Sequence, residues 1–422
     1  MRPKVPGPRG RFYIGSALEF NADPIGWMRE THAEFGDIVR LDPSTVVIHD
    51  PEAIHQVLVG TNDEFLLDNA MVAGARGRAW LVEGLPLWLE TRRHLQQGLA
   101  RSVLTAHLPR ARQRMNDEAE RLAGVRRPLF DTAQRLVGGA VADYCVGSDP
   151  QATVAVAQAV EAVFWASLEV ADGSESRLRI SRRPIAKRAT ALNNALVELL
   201  TEVVRDRLAQ RRKAEPADAL DALIERGLPE RFLVAALRLL MVTSHGPSGA
   251  VLSWCLLRLA ERPDDAASIR AEAQADGGAL PGEEWPHTAA VLKEVMRLHP
   301  PTLLMSRTCA RPVEVAGYPL RAGDRVLFTP YLVHRDPRFW TDPESFTPSR
   351  WQRGRIPYTG KAYLPFGAGT RVCPGARLGP VQLAMALAAV IGRHELELPP
   401  TDSVAPARST LLTPAGVEVR WS

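Results

Sequence analysis

The sequence predicts a mainly α-helical fold with small β-sheets, and three observations predict it. Apolar residues recur at helical spacing over long windows, as in TALNNALVELLTEVVRDRLAQRRK from Thr190 and PVQLAMALAAVIGRHELEL from Pro380. Strand-like runs are few and short. No Ser/Gly-rich or Pro-rich tract, like-charge block or internal repeat divides the 422 residues. The chain therefore reads as one continuous domain, 1–422, although it exceeds the usual length of a single-core unit.

In chain order, the opening VPGPRGRFYIGSALEF reads as a turn followed by a helix, and DIVRLDPSTVVIHD (37–50) as the first strands. A markedly basic stretch, SRLRISRRPIAKR (176–188), precedes the helix from Thr190 and reads as a solvated face or the flank of a lid. LRLLMVTSHGPSGAVLSWCLLRLAERP (237–263) is the longest helical window. VEVAGYPLRAGDRVLF (313–328) is strand-like, with Gly and Pro at its turns. The β-rich parts thus fall at about 1–60 and 307–330, with a helical remainder. The start has no apolar core suited to a signal peptide, and no stretch is expected to reach the roughly 18 apolar residues of a spanning helix. The expectation is a cytoplasmic protein with no membrane anchor. A net charge of +4 is mild. It suits acidic protein partners and is too diffuse to argue for nucleic acid.

The four cysteines are Cys145, Cys255, Cys309 and Cys373. None forms a CxxC pair, so neither a disulfide framework nor a zinc site is expected. Cys145 and Cys255 lie in helix-like apolar windows, where a thiol behaves as a small hydrophobe. Cys373 differs: it sits in FGAGTRVCPGARLG (366–379), directly before a strong helix former. A buried structural thiol, a nucleophile and a metal thiolate all compete there. A nucleophile wants a histidine base, and His394 lies well downstream. Backbone N–H groups at the helix start would favour a sulfur anion. Gly367, Gly369 and Gly375 would let the backbone approach a flat, bulky group, and Arg371 offers a planar donor for a carboxylate.

This stretch resembles the haem-binding loop of the cytochrome P-450 (haem-thiolate monooxygenase) family, of the soluble bacterial type. The family pattern, Phe-x-x-Gly-x-Arg-x-Cys-x-Gly, is met by Phe366, Gly369, Arg371, Cys373 and Gly375. The resemblance implies a cytochrome P-450-type fold with haem b (iron protoporphyrin IX) between a long distal helix and the cysteine loop. Cys373 is then the axial iron ligand, Arg371 a haem-propionate partner, and Phe366 a shield for the sulfur. KEVMRLHPP carries Glu294 and Arg297, similar to the family's Glu-x-x-Arg helix, and FTPSRW supplies Arg350 to complete a structural network. Ser349 departs from the Glu common at its place. Trp88 and Arg92, one helical turn apart, and Arg307 in MSRTC are the further haem partners implied.

The clearest departure lies in the long helix. The family usually places an acid and an alcohol there to organise water and deliver protons; aligned from Ser253, Trp254 and Pro263, these positions hold Gly246 and Pro247. Pro247 has no N–H for the carbonyl of Thr243 and is expected to kink the helix. Gly246 is expected to leave room beside the iron. Ser248, or Ser244 one turn earlier, can serve as a proton relay or simply bond its own helix. His245 is expected to face away.

The resemblance implies a monooxygenase acting on a hydrophobic small molecule, terpenoid or polyketide-like, in specialised metabolism. That substrate is free or bound to an acidic carrier protein. Electrons would come from a ferredoxin with its reductase or from a flavodoxin, docking near Arg353, Arg355, Lys361 and Arg377. Two alternatives stay open: a peroxide-dependent or redox-neutral haem-thiolate enzyme, and a non-catalytic haem-binding protein.

Overall fold

The computed structural model describes residues 4–11, 14–67, 89–93, 95, 101–172, 183–210, 216–275, 285–351, 356–407 and 411–421. The chain opens with α1 (Ala17–Ala22) and α2 (Pro24–Phe35), followed by β1 (Ile38–Asp42), β2 (Thr45–Ile48), α3 (Pro51–Val59) and β3 (Phe65–Leu67). A helical run follows: α4 (Arg101–Glu120), the short β4 (Arg126–Pro128), α5 (Leu129–Val146), α6 (Pro150–Asp172), α7 (Arg183–Ala209) and α8 (Ala219–Ile224). Next come the long α9 (Glu230–Ala260), α10 (Pro263–Gln274) and α11 (Pro286–Leu298). The chain closes with β5 (Met305–Cys309), β6 (Val313–Val315), β7 (Tyr318–Leu320), β8 (Arg325–Phe328), α12 (Pro330–Val333), α13 (Leu378–Ile391), β9 (Leu396–Glu397) and β10 (Glu418–Trp421).

These elements form two compact units, Met1–Ala75 with Met296–Cys373, and Arg76–Val295 with Pro374–Ser422. The first contains the β-rich segments expected from sequence. Its sheet runs β1-β2-β8-β5-β3, with β2 and β8 parallel and the other pairs antiparallel. Alternate residues feed opposite faces: Val46, Ile48, Val326 and Phe328 pack with Ile54, Val57 and Leu58 of α3, whereas Val47 and Leu327 join Trp27 and Met28 of α2. Both helices start on an aspartate followed by proline. Asp23 accepts the Gly26 N–H at 3.0 Å and Asp50 accepts that of Ala53 at 2.7 Å.

The second unit is helical, with α9 lying along α5, α6 along α7, and α13 against α4 and α9. Its small sheet runs β4-β10-β9. The predicted helix from Pro380 stops at Ile391, where Gly392 follows, and part of the HELEL tail becomes β9 instead. One expectation fails: among the described residues one helix, Pro150–Val170, is long and apolar enough to cross a membrane. Glu161 and Glu169 are its only charges, the rest being largely alanine and valine. Thr153, Val156, Val160, Val163 and Phe164 are buried along one face, so this helix contributes a core stripe to the second unit.

Candidate active site

In the first unit the cysteine turn is closed by its own backbone. The N–H of Cys373 donates to the carbonyl of Phe366 at 2.8 Å, and Val372 N–H to that of Gly369 at 3.1 Å. Gly367 and Gly369 have φ of 69° and 68°, where other residues are strained. Gly369 also presses on the end of α3: a Cβ there would lie 2.5 Å from the carbonyl oxygen of Leu58. Gly375 behaves otherwise, sitting in a 3₁₀ turn, Pro374–Ala376, that belongs to the second unit and packs on α9 and α13. Cys373 is exposed; the other three cysteines are buried. Burial pushes the Cys309 thiol up to about 11 and those of Cys145 and Cys255 higher still. Those three are inert hydrophobes, and Cys373 is the accessible sulfur.

Two predicted haem-propionate arginines meet beside this turn through a dipeptide that sequence reasoning missed, Thr61-Asn62. Arg371 donates from Nε and Nη2 to Asn62 Oδ1 at 2.9 and 2.5 Å. Asn62 Nδ2 donates to Thr370 Oγ1 at 3.1 Å, and Thr370 donates to the Thr61 carbonyl at 2.9 Å. The Thr61 hydroxyl accepts from Arg307 Nε at 3.0 Å and donates to Val57 at 3.0 Å. Asn62 adopts φ of 80°, a conformation asparagine tolerates better than most residues. Arg307 sits mid-strand in β5, opposite Leu67 and Val326. It is 4% exposed, and its Nη1 donates to the Ser306 carbonyl at 2.7 Å. No carboxylate among the described residues pairs with it, and burial lowers its guanidinium to about 10. A buried cation of this kind calls for an anion. An accessible thiol on a glycine turn, next to a buried arginine that lacks a carboxylate, fits an iron porphyrin with propionate arms.

The turn is braced from behind by the predicted Arg297 and Arg350. Arg297 donates to the carbonyls of His334, Pro343 and Ser345 at 2.9, 2.5 and 2.9 Å. Arg350 donates to those of Thr341, Asp342 and Ser345 at 2.8, 3.2 and 3.3 Å, so the two cations share the Ser345 carbonyl. Trp340 lies under Arg297 at 5.2 Å. Glu294 is fully buried one helical turn before Arg297. A second residue missed by sequence reasoning, His334, ties this brace to the cysteine turn. Leu364 N–H donates to its Nε2 at 2.8 Å, so Nδ1 carries the proton and donates to the Arg297 carbonyl at 3.0 Å. Burial lowers His334 to about 3, keeping it neutral.

In the second unit Arg92 is buried on helical residues 89–93, while Trp88 lies outside the described residues. So do Arg353 and Arg355. Lys361 is described and pairs with Glu52 at 2.9 Å. The long helix overturns one expectation. Gly246 does not leave open space: a Cβ there would overlap the Phe164 ring and lie 2.6 Å from Leu411. The missing side chain is replaced by two apolar ones from α6 and the C-terminal segment. The helix α9 continues through Pro247. The His245 ring is lodged against Gly138 of α5 and lies 5.3 Å from Phe164. The Ser244 hydroxyl donates to the Met241 carbonyl at 3.2 Å, the ordinary habit of a helix serine.

The fold and the cysteine turn together define a predominantly helical protein built to hold a prosthetic group on a thiolate. The Cytochrome P450 family model matches residues 5–419. The chain belongs to the cytochrome P450 family; its cofactor is haem, and it is an oxidoreductase of the haem-thiolate monooxygenase class. Members of this family draw electrons from redox partners and take hydrophobic substrates. Zealexin A1 synthase of Zea mays is 26% identical over 94% of this chain and 88% of that enzyme. Ferruginol synthase of Salvia miltiorrhiza is 39% identical, over 37% of this chain and 33% of that enzyme. Germacrene A hydroxylase of Helianthus annuus is 29% identical over 50% and 46%. Retinoic acid-bound cyanobacterial CYP120A1 shares the fold, with a TM-score of 0.77 at 20% identity over 100% of both chains.

Proposed function

We propose that the protein hydroxylates a terpenoid in specialised metabolism, with Cys373 as the axial ligand of haem. Bound haem supplies oxygen activation; the chain's residues hold and shield it. Arg307, Arg371 and Arg92, with Trp88, bind the propionates, Phe366 flanks the sulfur, and Gly375 lets the backbone approach. Glu294, Arg297 and Arg350 keep the cysteine turn in place. The observation carrying this reading is Arg307, a buried cation beside the cysteine turn with no carboxylate among the described residues to meet it. The terpenoid class is supported by the names of the relatives, three of which are terpenoid synthases or hydroxylases. A soluble, cytoplasmic chain of bacterial type, served by a ferredoxin or flavodoxin and free to accept a carrier-bound substrate, completes the proposal. Fractionation and reduction by each donor test those parts.

Reduced holoprotein under carbon monoxide is expected to show the red-shifted Soret band of sulfur coordination, and Cys373→Ala to lose it. Absence of that band in the wild type would refute the proposal. A second reading, use of peroxide or a redox-neutral reaction, is favoured by one observation: the usual acid position is Gly246, closed over by Phe164 and Leu411. Turnover with hydrogen peroxide alone, and none with dioxygen and an electron donor, would establish it.

A further inference from the structure

Helix α9 is covered almost all round in its middle, yet Thr243, Ser244, Pro247 and Ser248 are uncovered or half-covered. Their spacing places them on one face. Two of the hydroxyls are spent on the helix: Thr243 donates to the Leu239 carbonyl at 2.6 Å and Ser244 to that of Met241. Two groups are not spent. Pro247 has no N–H, so the Thr243 carbonyl lacks its donor one turn on. Ser248 makes no side-chain hydrogen bond among the described residues. A helical carbonyl points toward the residue four further on, so this acceptor and the Ser248 hydroxyl lie about one residue apart. Beside them, Phe164 and Leu411 close over Gly246 and make that flank apolar.

We infer that this stripe binds a neutral hydroxyl group of the substrate, donating to the Thr243 carbonyl and accepting from Ser248. The inference rests on the monooxygenase reading above and narrows its substrate to an alcohol or phenol. A hydrocarbon offers no donor, and a ketone only accepts. A carboxylate would set its charge against a carbonyl oxygen, with no cation on the stripe. Of these groups, only a hydroxyl satisfies both at once. The reaction that supplies the substrate is then an earlier hydroxylation or an alcohol-forming cyclisation.

The test is calorimetric titration of the holoprotein with matched probes: myrcene and geraniol, farnesene and farnesol, and abietatriene and ferruginol. In at least one pair the alcohol or phenol is expected to bind about tenfold tighter, as one to two satisfied hydrogen bonds allow. Pro247→Ala returns an N–H to the Thr243 carbonyl, and Ser248→Ala removes the second partner. Each is expected to lower the affinity for the alcohol or phenol and so to erase most of the preference. No preference in any pair, or a preference surviving both substitutions, overturns the inference. The carbon monoxide spectrum of the same samples separates the two failures. With the thiolate band present only the substrate inference falls; without it, the monooxygenase reading falls first.

Discussion

The cysteine turn of the first unit and the Gly246 turn of α9 both depend on glycine, in opposite ways. At Gly367 and Gly369 the backbone itself is unusual, with positive φ and, at Gly369, close approach to the Leu58 carbonyl. Gly246 sits in regular helix, and what matters is the side chain it lacks, because Phe164 and Leu411 occupy that place. Gly138 repeats this arrangement for the His245 ring, and Gly249 for Gln134. The histidines divide the same way. His334 behind the cysteine turn bonds through both nitrogens, whereas His245 is buried with neither nitrogen bonded among the described residues. One region is held by directional bonds; the other is held by shape.

The sharpest way to break this contrast is Gly369→Ala. It combines the strain of a positive φ, about 1–3 kcal/mol, with a clash against backbone that cannot swing aside. We expect the largest fall in thermal stability and a loss of haem retention. Next comes His334→Leu, which orphans the buried Leu364 N–H and Arg297 carbonyl at about 1–3 kcal/mol each. Denaturant unfolding should report that loss, while His245→Leu at neutral pH should change little. Gly246→Ala is expected to cost about 1–3 kcal/mol by overpacking, with much of it returned by Phe164→Leu in a double-mutant cycle. Placing a glutamate at 246 meets the same obstacle and requires Phe164 to move.

At neutral pH the smallest effect is that of His245, which shows only in acid. Burial lowers His245 from 6.5 to about 4, so below about pH 6.5 the unfolded chain takes a proton that the folded chain refuses. Stability falls as pH drops from about 6.5 toward 4, by up to about 1.4 kcal/mol per pH unit for this group, and is unaffected above that window. His245→Leu should flatten that part of the acid profile by one proton's worth. An unchanged profile would mean that His245 is not held neutral.

Much of the first region was legible in the sequence. Phe366, Gly369, Arg371 and Cys373 lie close together in the sequence, and the glycines, cysteine and arginine each carry their chemistry locally. The brace of Arg297 and Arg350 was legible as a pair, but its partners are main-chain carbonyls, which no residue pattern names. Only the edge of the β-rich part at 307–330 touches β5, because MSRTC is polar and short, its place decided by β3 and β8 on either side. Thr61, Asn62 and His334 gave no signal: Asn62 meets Arg371 across 309 positions of chain.

By itself the sequence determined the mainly helical class, the cysteine turn and the absence of both an acid and an alcohol at positions 246 and 247. These follow from local backbone preference and from which chemical groups the residues carry. Only the tertiary structure decided what fills the space beside Gly246, which serine keeps a spare hydroxyl, and how the two arginines are held. Those outcomes depend on close packing and hydrogen-bond satisfaction among segments far apart in the chain, where a few tenths of an ångström separate a filled space from an open one.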